Sequence, residues 1–320
     1  MSKDIKENQI VSIVGATSTG KTDFALNLAA SLSVNDRYQN IHLLSADSRQ
    51  VYRGLENLTG ADLPADFSTT SDDKFIYPYF SNPTKNIFLH GISIVETAEE
   101  WSAAHFKKIF ENIKENLSEK EFLIVVGGTG FYQQQVVETA ESISIPQNKK
   151  LREKLEKLSV EELKKKLETL NQKKYQSMNN SDVNNSRRLI RAIEIILFQK
   201  EQTAPKDKSS KSPISIFYLQ LPKEIREQKI KDRVLQRFEF AKKEVAEQLK
   251  INGNKESLAF SSTGFIELKK FIEGEIDKET CLKLWQTAEI QYAKRQDTWW
   301  KNKTDLIKID AEKIPQACYI

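Results

Sequence analysis

Cysteine is nearly absent: Cys281 and Cys318 are the only two in 320 residues, too few for a disulfide framework. The three histidines, His42, His90 and His105, have no zinc-type spacing with them, so structural metal is not expected. Long apolar runs are missing too; none approaches the roughly 18 residues a membrane helix needs. The start, MSKDIKENQI, lacks both the apolar core of a signal peptide and the Arg-rich bias of a transit peptide. A cytoplasmic protein without membrane contact is the expectation. With 39% hydrophobic and 29% charged residues, the chain is long enough to bury a real core in two packed units.

Positive charge is scarce in the first 140 residues, which carry 12 Lys and Arg against 18 Asp and Glu, and abundant afterwards, 37 against 27. Such a split suggests that a polyanion contacts the second part, because nucleic-acid affinity rests heavily on Lys and Arg that neutralise phosphates. A lysine-rich solvated surface would give the same count.

The hydrophobic pattern alternates strand and helix. QIVSIV (9–14) is a β-branched run ending at Gly15, TDFALNLAASL after it has helical spacing, and IHLLSA (41–46) reads as a second strand. Residues 60–86, rich in Pro, Asp, Ser and Thr, read as a long loop. EEWSAAHFKKIFENIKENL follows as an amphipathic helix and EFLIVV as a buried parallel-type strand. This predicts a doubly wound α/β core. After about residue 140 the character changes: LREKLEKLSVEELKKKLETLNQKK and SRRLIRAIEIILF are helical, KEQTAPKDKSSKSP is a lysine-rich linker, and ISIFYLQL returns to strand. The division is therefore 1–140 as the first part of the core, 141–200 as a helical insertion, and 201–320 as the rest of the core with two long helices and a last strand, DLIKID.

GATSTGKT (15–22) fits the P-loop pattern G-x-x-x-x-G-K-[ST] and lies between a strand and a helix, as that motif requires. Its backbone N–H groups and the helix's positive end would hold phosphate, with Gly15, Thr17, Ser18, Thr19 and Gly20 shaping the loop. Lys21 adds a point charge, and the Thr22 hydroxyl is placed to reach Mg²⁺. What is esterified to those phosphates stays open. The acid at the end of another core strand is Asp47, in SADSRQVYRG, beside Ser48, Arg49, Gln50 and Tyr52, groups suited to holding a planar polar substrate. Asp47 reads as a base near a leaving group, or as a cap on the following turn. Gly127-Gly128-Thr129-Gly130 lets backbone approach a ligand, or is a plain strand-to-helix turn. Arg187, Arg188 and Arg191 form a phosphate clamp or a solvated face. Lys294, Arg295, Trp299 and Trp300 combine charge and aromatic surface as nucleic-acid contacts do, although the tryptophans also suit a core.

GATSTGKT, SADSRQVYRGL, WSAAHF, VVGGTGFY, RRLIRAIE, TGFIEL and QYAKRQDTW, in this order, resemble the bacterial tRNA dimethylallyltransferases (tRNA isopentenyl transferases), nearly end to end. The resemblance implies a P-loop NTPase-like parallel sheet core with a helical insertion domain and C-terminal helices. It also implies transfer of a dimethylallyl group from its diphosphate to the exocyclic amine of the adenosine 3′ of the tRNA anticodon. Residues 15–22 would then hold dimethylallyl diphosphate with Mg²⁺, Asp47 would take the amine proton, and Lys21 and Thr22 would stabilise pyrophosphate as it leaves. Asp47 to Tyr52 and Thr129 would line the channel for the extruded adenine. Arg237, in RVLQRF, would reach the diphosphate. The insertion would grip the anticodon stem with Arg188 and Arg191, Lys294 and Arg295 would contact tRNA, and the enzyme would act as a monomer. An adenylate prenyltransferase, a P-loop small-molecule kinase and a non-catalytic tRNA-binding relative are the alternatives. Departures from the family pattern occur at Asn184–Asn185, Leu58–Ala61, Gly264–Ile266 and Glu289–Ile290, each of which loses a polar or positive group.

Overall fold

The computed structural model describes residues 9–34, 37–137, 143, 145–201, 214–253 and 257–314. The linker expected at 200–213 thus falls largely outside the described residues. The chain divides into two compact units, Met1–Glu138 together with Lys211–Ile320, and Thr139–Ser210.

The first unit is built on an eight-stranded sheet, β1 (Ile10–Gly15), β2 (Asn40–Ser45), β3 (Ser68–Thr70), β4 (Tyr79–Asn82), β5 (Ile87–His90), β6 (Glu121–Val126), β7 (Ser215–Gln220) and β8 (Ile307–Asp310), in the order β3-β4-β5-β2-β6-β1-β7-β8. The six strands from β5 to β8 along that order are parallel. Their continuous apolar runs follow from coverage on both faces. One face packs Leu44, Leu123 and Val125 with Phe106, Phe110, Val234 and Trp285. The other packs Ile13, Ile41, Leu43 and Ile124 with Ala25 and Ala29.

The expected long loop at 60–86 is corrected. It contains β3 and β4, which pair antiparallel with each other and with β5 and so extend the sheet at its edge. The strands are three and four residues long and lie among Ser, Thr, Asn and Pro, so they give little alternation to detect.

The helices of this unit are α1 (Lys21–Val34), α2 (Glu56–Thr59), α3 (Ala103–Asn116), α4 (Gly130–Val137), α10 (Lys223–Asn252), α11 (Phe265–Ile272) and α12 (Lys278–Lys301). In α3, Phe106, Ile109, Phe110 and Ile113 recur at helical spacing and are all buried. Helix α10 starts after Pro222, which suits a helix entry, and buries Ile230, Val234, Phe238, Ala241 and Val245 down one side. Helix α10 sends Arg233, and α12 sends Gln296, to the phosphate loop at the sheet's carboxyl end.

The second unit holds α5 (Lys149–Leu155), α6 (Val160–Leu170), α7 (Gln172–Gln176), α8 (Asn180–Val183) and α9 (Ser186–Glu201). The run expected as one charged helix is broken where Ser159 caps α6 with a capping box to Glu162. Its own core is aliphatic, with Leu155, Leu163, Leu167, Leu189 and Ile193 buried.

Candidate active site

Strand order decides what meets here. β6 lies between β1 and β2, so the carboxyl ends of three adjacent strands carry the phosphate loop, the Gly127–Gly130 turn and the Asp47 loop in that sequence. Neighbouring strands are about 4.8 Å apart, which puts the two outer loops on the order of 10 Å from each other. Ligand crevices in open α/β sheets form at such an edge. Backbone bonds stitch the three together: Gly127 N–H to Ile13 O at 3.1 Å, Ala46 N–H to Val126 O at 2.7 Å and Thr129 N–H to Ala46 O at 3.3 Å.

The phosphate loop has the backbone of a cradle. Ser18 and Gly20 sit at φ of 61° and 82°, turning successive N–H groups toward one concavity. The Thr19 hydroxyl donates to Ala16 O at 2.9 Å, tying the loop across its own base. Lys21 Nζ donates to the same carbonyl at 2.7 Å. Burial, and then Arg233, push the Lys21 ammonium down to about 8, while Asp47 and Asp297 pull the other way. A cation held this unfavourably is poised for an anion. Thr22 is exposed at the start of α1, and its hydroxyl makes no hydrogen bond among the described residues. A free hard oxygen beside a phosphate cradle fits Mg²⁺, which binds few protein groups besides substrate phosphates and water.

Thr17 is held from two sides by residues that motif reading missed. Gln296 Oε1 accepts its backbone N–H at 2.8 Å, and Arg233 Nη1 donates to its hydroxyl at 2.9 Å. Arg237, the arginine expected on the diphosphate, pairs with Asp62, and burial lowers its guanidinium to about 10. It lies one turn of α10 beyond Arg233, and both guanidiniums occupy the space a side chain at Gly60 would need. Of the two, Arg233 is the one that touches the loop. Their spacing of four was visible in RVLQRF, but nothing in it ranked one above the other. A small cavity lined by Ser18, Leu58, Arg233, Arg237, Trp285 and Glu289 adjoins the loop. Burial raises the Glu289 carboxyl above its ordinary range, and the Thr263 hydroxyl donates to it at 2.6 Å.

On the acceptor side, Asp47 Oδ1 accepts the Arg49 N–H at 2.8 Å. The capping reading is therefore true of one oxygen, and the other has no protein partner among the described residues. Ser48 N–H reaches Thr129 Oγ1 at 3.4 Å. The Arg49 guanidinium donates to Leu258 O at 2.7 Å. Two members of the cluster brace the loop: Gln50 accepts from Ser45 Oγ at 2.7 Å and donates to Gly60 O at 2.8 Å, and the Tyr52 ring is fully buried with no open face for a base. Tyr52 as a contact to RNA is thus corrected to a core residue, since its bulk fills space beneath the loop. Tyr292 was not anticipated; its buried hydroxyl titrates above the usual tyrosine range because of burial and then Asp47, and it bonds Thr129. Its ring carries the Arg295 guanidinium at 5.7 Å.

The glycines of the turn make room for protein, not ligand. A side chain at Gly127 would meet Ala46 O at 2.4 Å, one at Gly128 would meet Gln296 Nε2 at 2.0 Å, and one at Gly130 would meet the Trp299 ring at 2.2 Å. Trp300 is core, whereas Trp299 is 38% exposed and Lys294 and Arg295 are exposed beside it. In the second unit, Arg188 is exposed and pairs with Asp182. Arg191 is turned inward to Glu194 and to Ile145 O, which makes it a support for that unit's fold rather than a free cation.

Residues 81–303 match the IPP transferase family model. The chain belongs to the IPP transferase family. It is 32% identical over 302 residues to tRNA dimethylallyltransferase 1 of Parabacteroides distasonis, covering 93% of this chain and 89% of that one. It is also 32% identical to tRNA dimethylallyltransferase 2 of Shewanella sediminis, over 99% and 98% of the two chains. Among solved structures, the tRNA isopentenylpyrophosphate transferase of Bacillus halodurans superposes with a TM-score of 0.60 at 25% identity, over 95% of this chain and 90% of that one. A eukaryotic dimethylallyltransferase acting on tRNA shares the fold at a TM-score of 0.71 and 20% identity, over 96% and 75%. Among the described residues, no helix is long and apolar enough to cross a membrane.

Proposed function

We propose that this protein transfers the dimethylallyl group of dimethylallyl diphosphate to the N6 amine of the adenosine 3′ of the anticodon in tRNA, releasing pyrophosphate. The observation that carries the reading is the adjacency of β1, β6 and β2, which sets a phosphate cradle and a carboxylate on either side of Thr129. Membership of the IPP transferase family selects prenyl transfer over phosphoryl transfer for that cradle.

In this mechanism the loop amides from Ser18 to Lys21, the Lys21 ammonium and Arg233 bind the diphosphate and stabilise the charge that grows on it as the C–O bond breaks. The Thr22 hydroxyl would hold Mg²⁺, which supplies further neutralisation of the leaving group. The adenine, extruded from its loop, places N6 against the allylic carbon. The free oxygen of Asp47 takes the amine proton, and Thr129 and Tyr292 fix the approach of the base. Exposed Lys294, Arg295 and Arg188 supply contacts to tRNA phosphates, and a monomer acting on the anticodon stem-loop in the cytoplasm suffices.

Incubation with unmodified tRNA, dimethylallyl diphosphate and Mg²⁺, followed by mass spectrometry of the nucleosides, should yield dimethylallyl-adenosine. Absence of that product at saturating substrate, or preferential prenylation of AMP, overturns the reading.

A further inference from the structure

Gln296 is buried on α12, 279 positions from the residue it holds. Its Oε1 accepts the Thr17 N–H at 2.8 Å. Its Nε2 and Cδ stand 2.0 Å and 2.8 Å from where a Gly128 Cβ would lie, so the amide fills the place of a side chain at Gly128, and that same Cβ position is 3.2 Å from Gly15 O. The side chain is therefore wedged between the first half of the phosphate loop and the turn after β6. That turn in turn rests on the acceptor loop, through Thr129 N–H to Ala46 O. Among the described residues, Nε2 donates to no protein acceptor, so the amide is not consumed by a wider network.

We propose that Gln296 is a positioning residue for prenyl transfer, fixing the distance between the diphosphate cradle and the acceptor loop. The physical reason lies in the backbone. Thr17 sits just before the positive-φ residue Ser18, where a loop rich in small residues has little of its own to define it. With the Thr17 amide turned toward Gln296, the cradle's first half is fixed against β6, and the N–H groups from Ser18 onward are left to the phosphates. Because the turn after β6, which Gln296 touches at Gly128, also carries Thr129, one side chain registers both halves of the site. Misplacing reacting atoms by about 1 Å costs on the order of 100-fold in rate without requiring weaker binding.

The inference rests on the prenyl-transfer reading, and the test separates the two. Single-turnover transfer to tRNA would be measured for the parent, Gln296→Met, Gln296→Ala, Gly128→Ala and the double variant Gly128→Ala/Gln296→Ala, alongside thermal melting and binding of a thiolo analogue of dimethylallyl diphosphate. A parent without transfer refutes the functional reading itself. With an active parent, each folded single variant should lose about 100-fold in rate while analogue and tRNA affinities stay within about threefold. The double variant should lose little more than either single one, because the alanine methyl group at position 128 fills the space that the truncated Gln296 leaves. Rates within about threefold of the parent, losses explained wholly by weaker binding, or multiplicative losses in the double variant would each overturn the assignment. Should Gln296→Ala not fold, Gln296→Met and Gly128→Ala carry the same comparison.

Discussion

Arg233 Nη1 donates to the Thr17 hydroxyl at 2.9 Å, fastening a helix in the last third of the chain to a loop near its beginning. The guanidinium cannot leave this place cheaply, since it also fills the space over Gly60. Arg233→Gln should raise KM for dimethylallyl diphosphate by about 10- to 100-fold, the range expected for losing charge-assisted hydrogen bonds of roughly 1.5–3 kcal/mol. KM for tRNA should move little. Arg233→Lys should restore only part of the loss, because an ammonium lacks the planar fork that directs separate N–H groups to Thr17 and a phosphate. Steady-state kinetics with each substrate varied in turn decides the matter, and equal changes in both KM values would contradict the placement of Arg233 on the donor side.

Asp47 has two oxygens with different work. One accepts the Arg49 N–H at 2.8 Å and shapes the loop, and the other, without a protein partner among the described residues, is the proposed base. Asp47→Asn keeps an acceptor for the turn but no base, so the fold and tRNA affinity should survive while kcat falls about 100- to 10,000-fold. Asp47→Ala should show the same kinetic loss with an added small destabilisation. Turnover near that of the parent in the asparagine variant would remove Asp47 from the role of base.

The Lys21 ammonium, lowered to about 8 by burial and Arg233, gives diphosphate binding a pH dependence of definite sign. A bound diphosphate anion favours the charged ammonium, so the pKa in the complex lies above that of the free protein. Affinity is then full below about pH 8 and declines as pH rises through the free-protein value, by up to tenfold per unit until the pKa of the complex is reached. Titration of the thiolo analogue from pH 6.5 to 9.5 should show this decline, and Lys21→Met should abolish it along with most of the affinity. A flat profile in the parent would mean that another group dominates.

The proposed chemistry was legible in the motifs because it is local. Gly15 to Thr22, Asp47 and Thr129 stand at strand ends that apolar runs make visible, and a P-loop is defined by adjacency in sequence. What was not legible depends on distance along the chain. Arg233, Tyr292 and Gln296 reach the site from α10 and α12, and no spacing rule links position 17 to position 296. Burial was equally hidden: Tyr52 lies in a polar string that suggests exposure, yet a local bridge to Val95 draws it into the core. Arg191 likewise has the exposed look of its neighbour Arg188 until Glu194, one turn further on, is seen to face it from a buried position. The edge strands β3 and β4 escaped notice for a different reason, being too short for alternation to register.

Close packing at the turn after β6 supplies a test of stability separable from chemistry. A Cβ on Gly127 would sit 2.4 Å from Ala46 O and 2.5 Å from its carbonyl carbon, and these are backbone atoms already fixed by the Ala46 N–H bond to Val126 O. Neither partner can swing aside as a side chain would, so Gly127→Ala must part β6 from the start of the Asp47 loop. A cost of about 1–3 kcal/mol is expected, with loss of transfer activity because Asp47 moves with Ala46. Gly274→Ala is the control: its φ of 78° imposes backbone strain of roughly 1–2 kcal/mol, but nothing lies within 4 Å of the new methyl group, and the position is remote in sequence from every site loop. Urea unfolding should therefore show comparable destabilisation for the two variants, while only Gly127→Ala loses activity under conditions where both remain folded. Equal activity in the two would mean that the contact between β6 and the Asp47 loop does not set the position of the carboxylate.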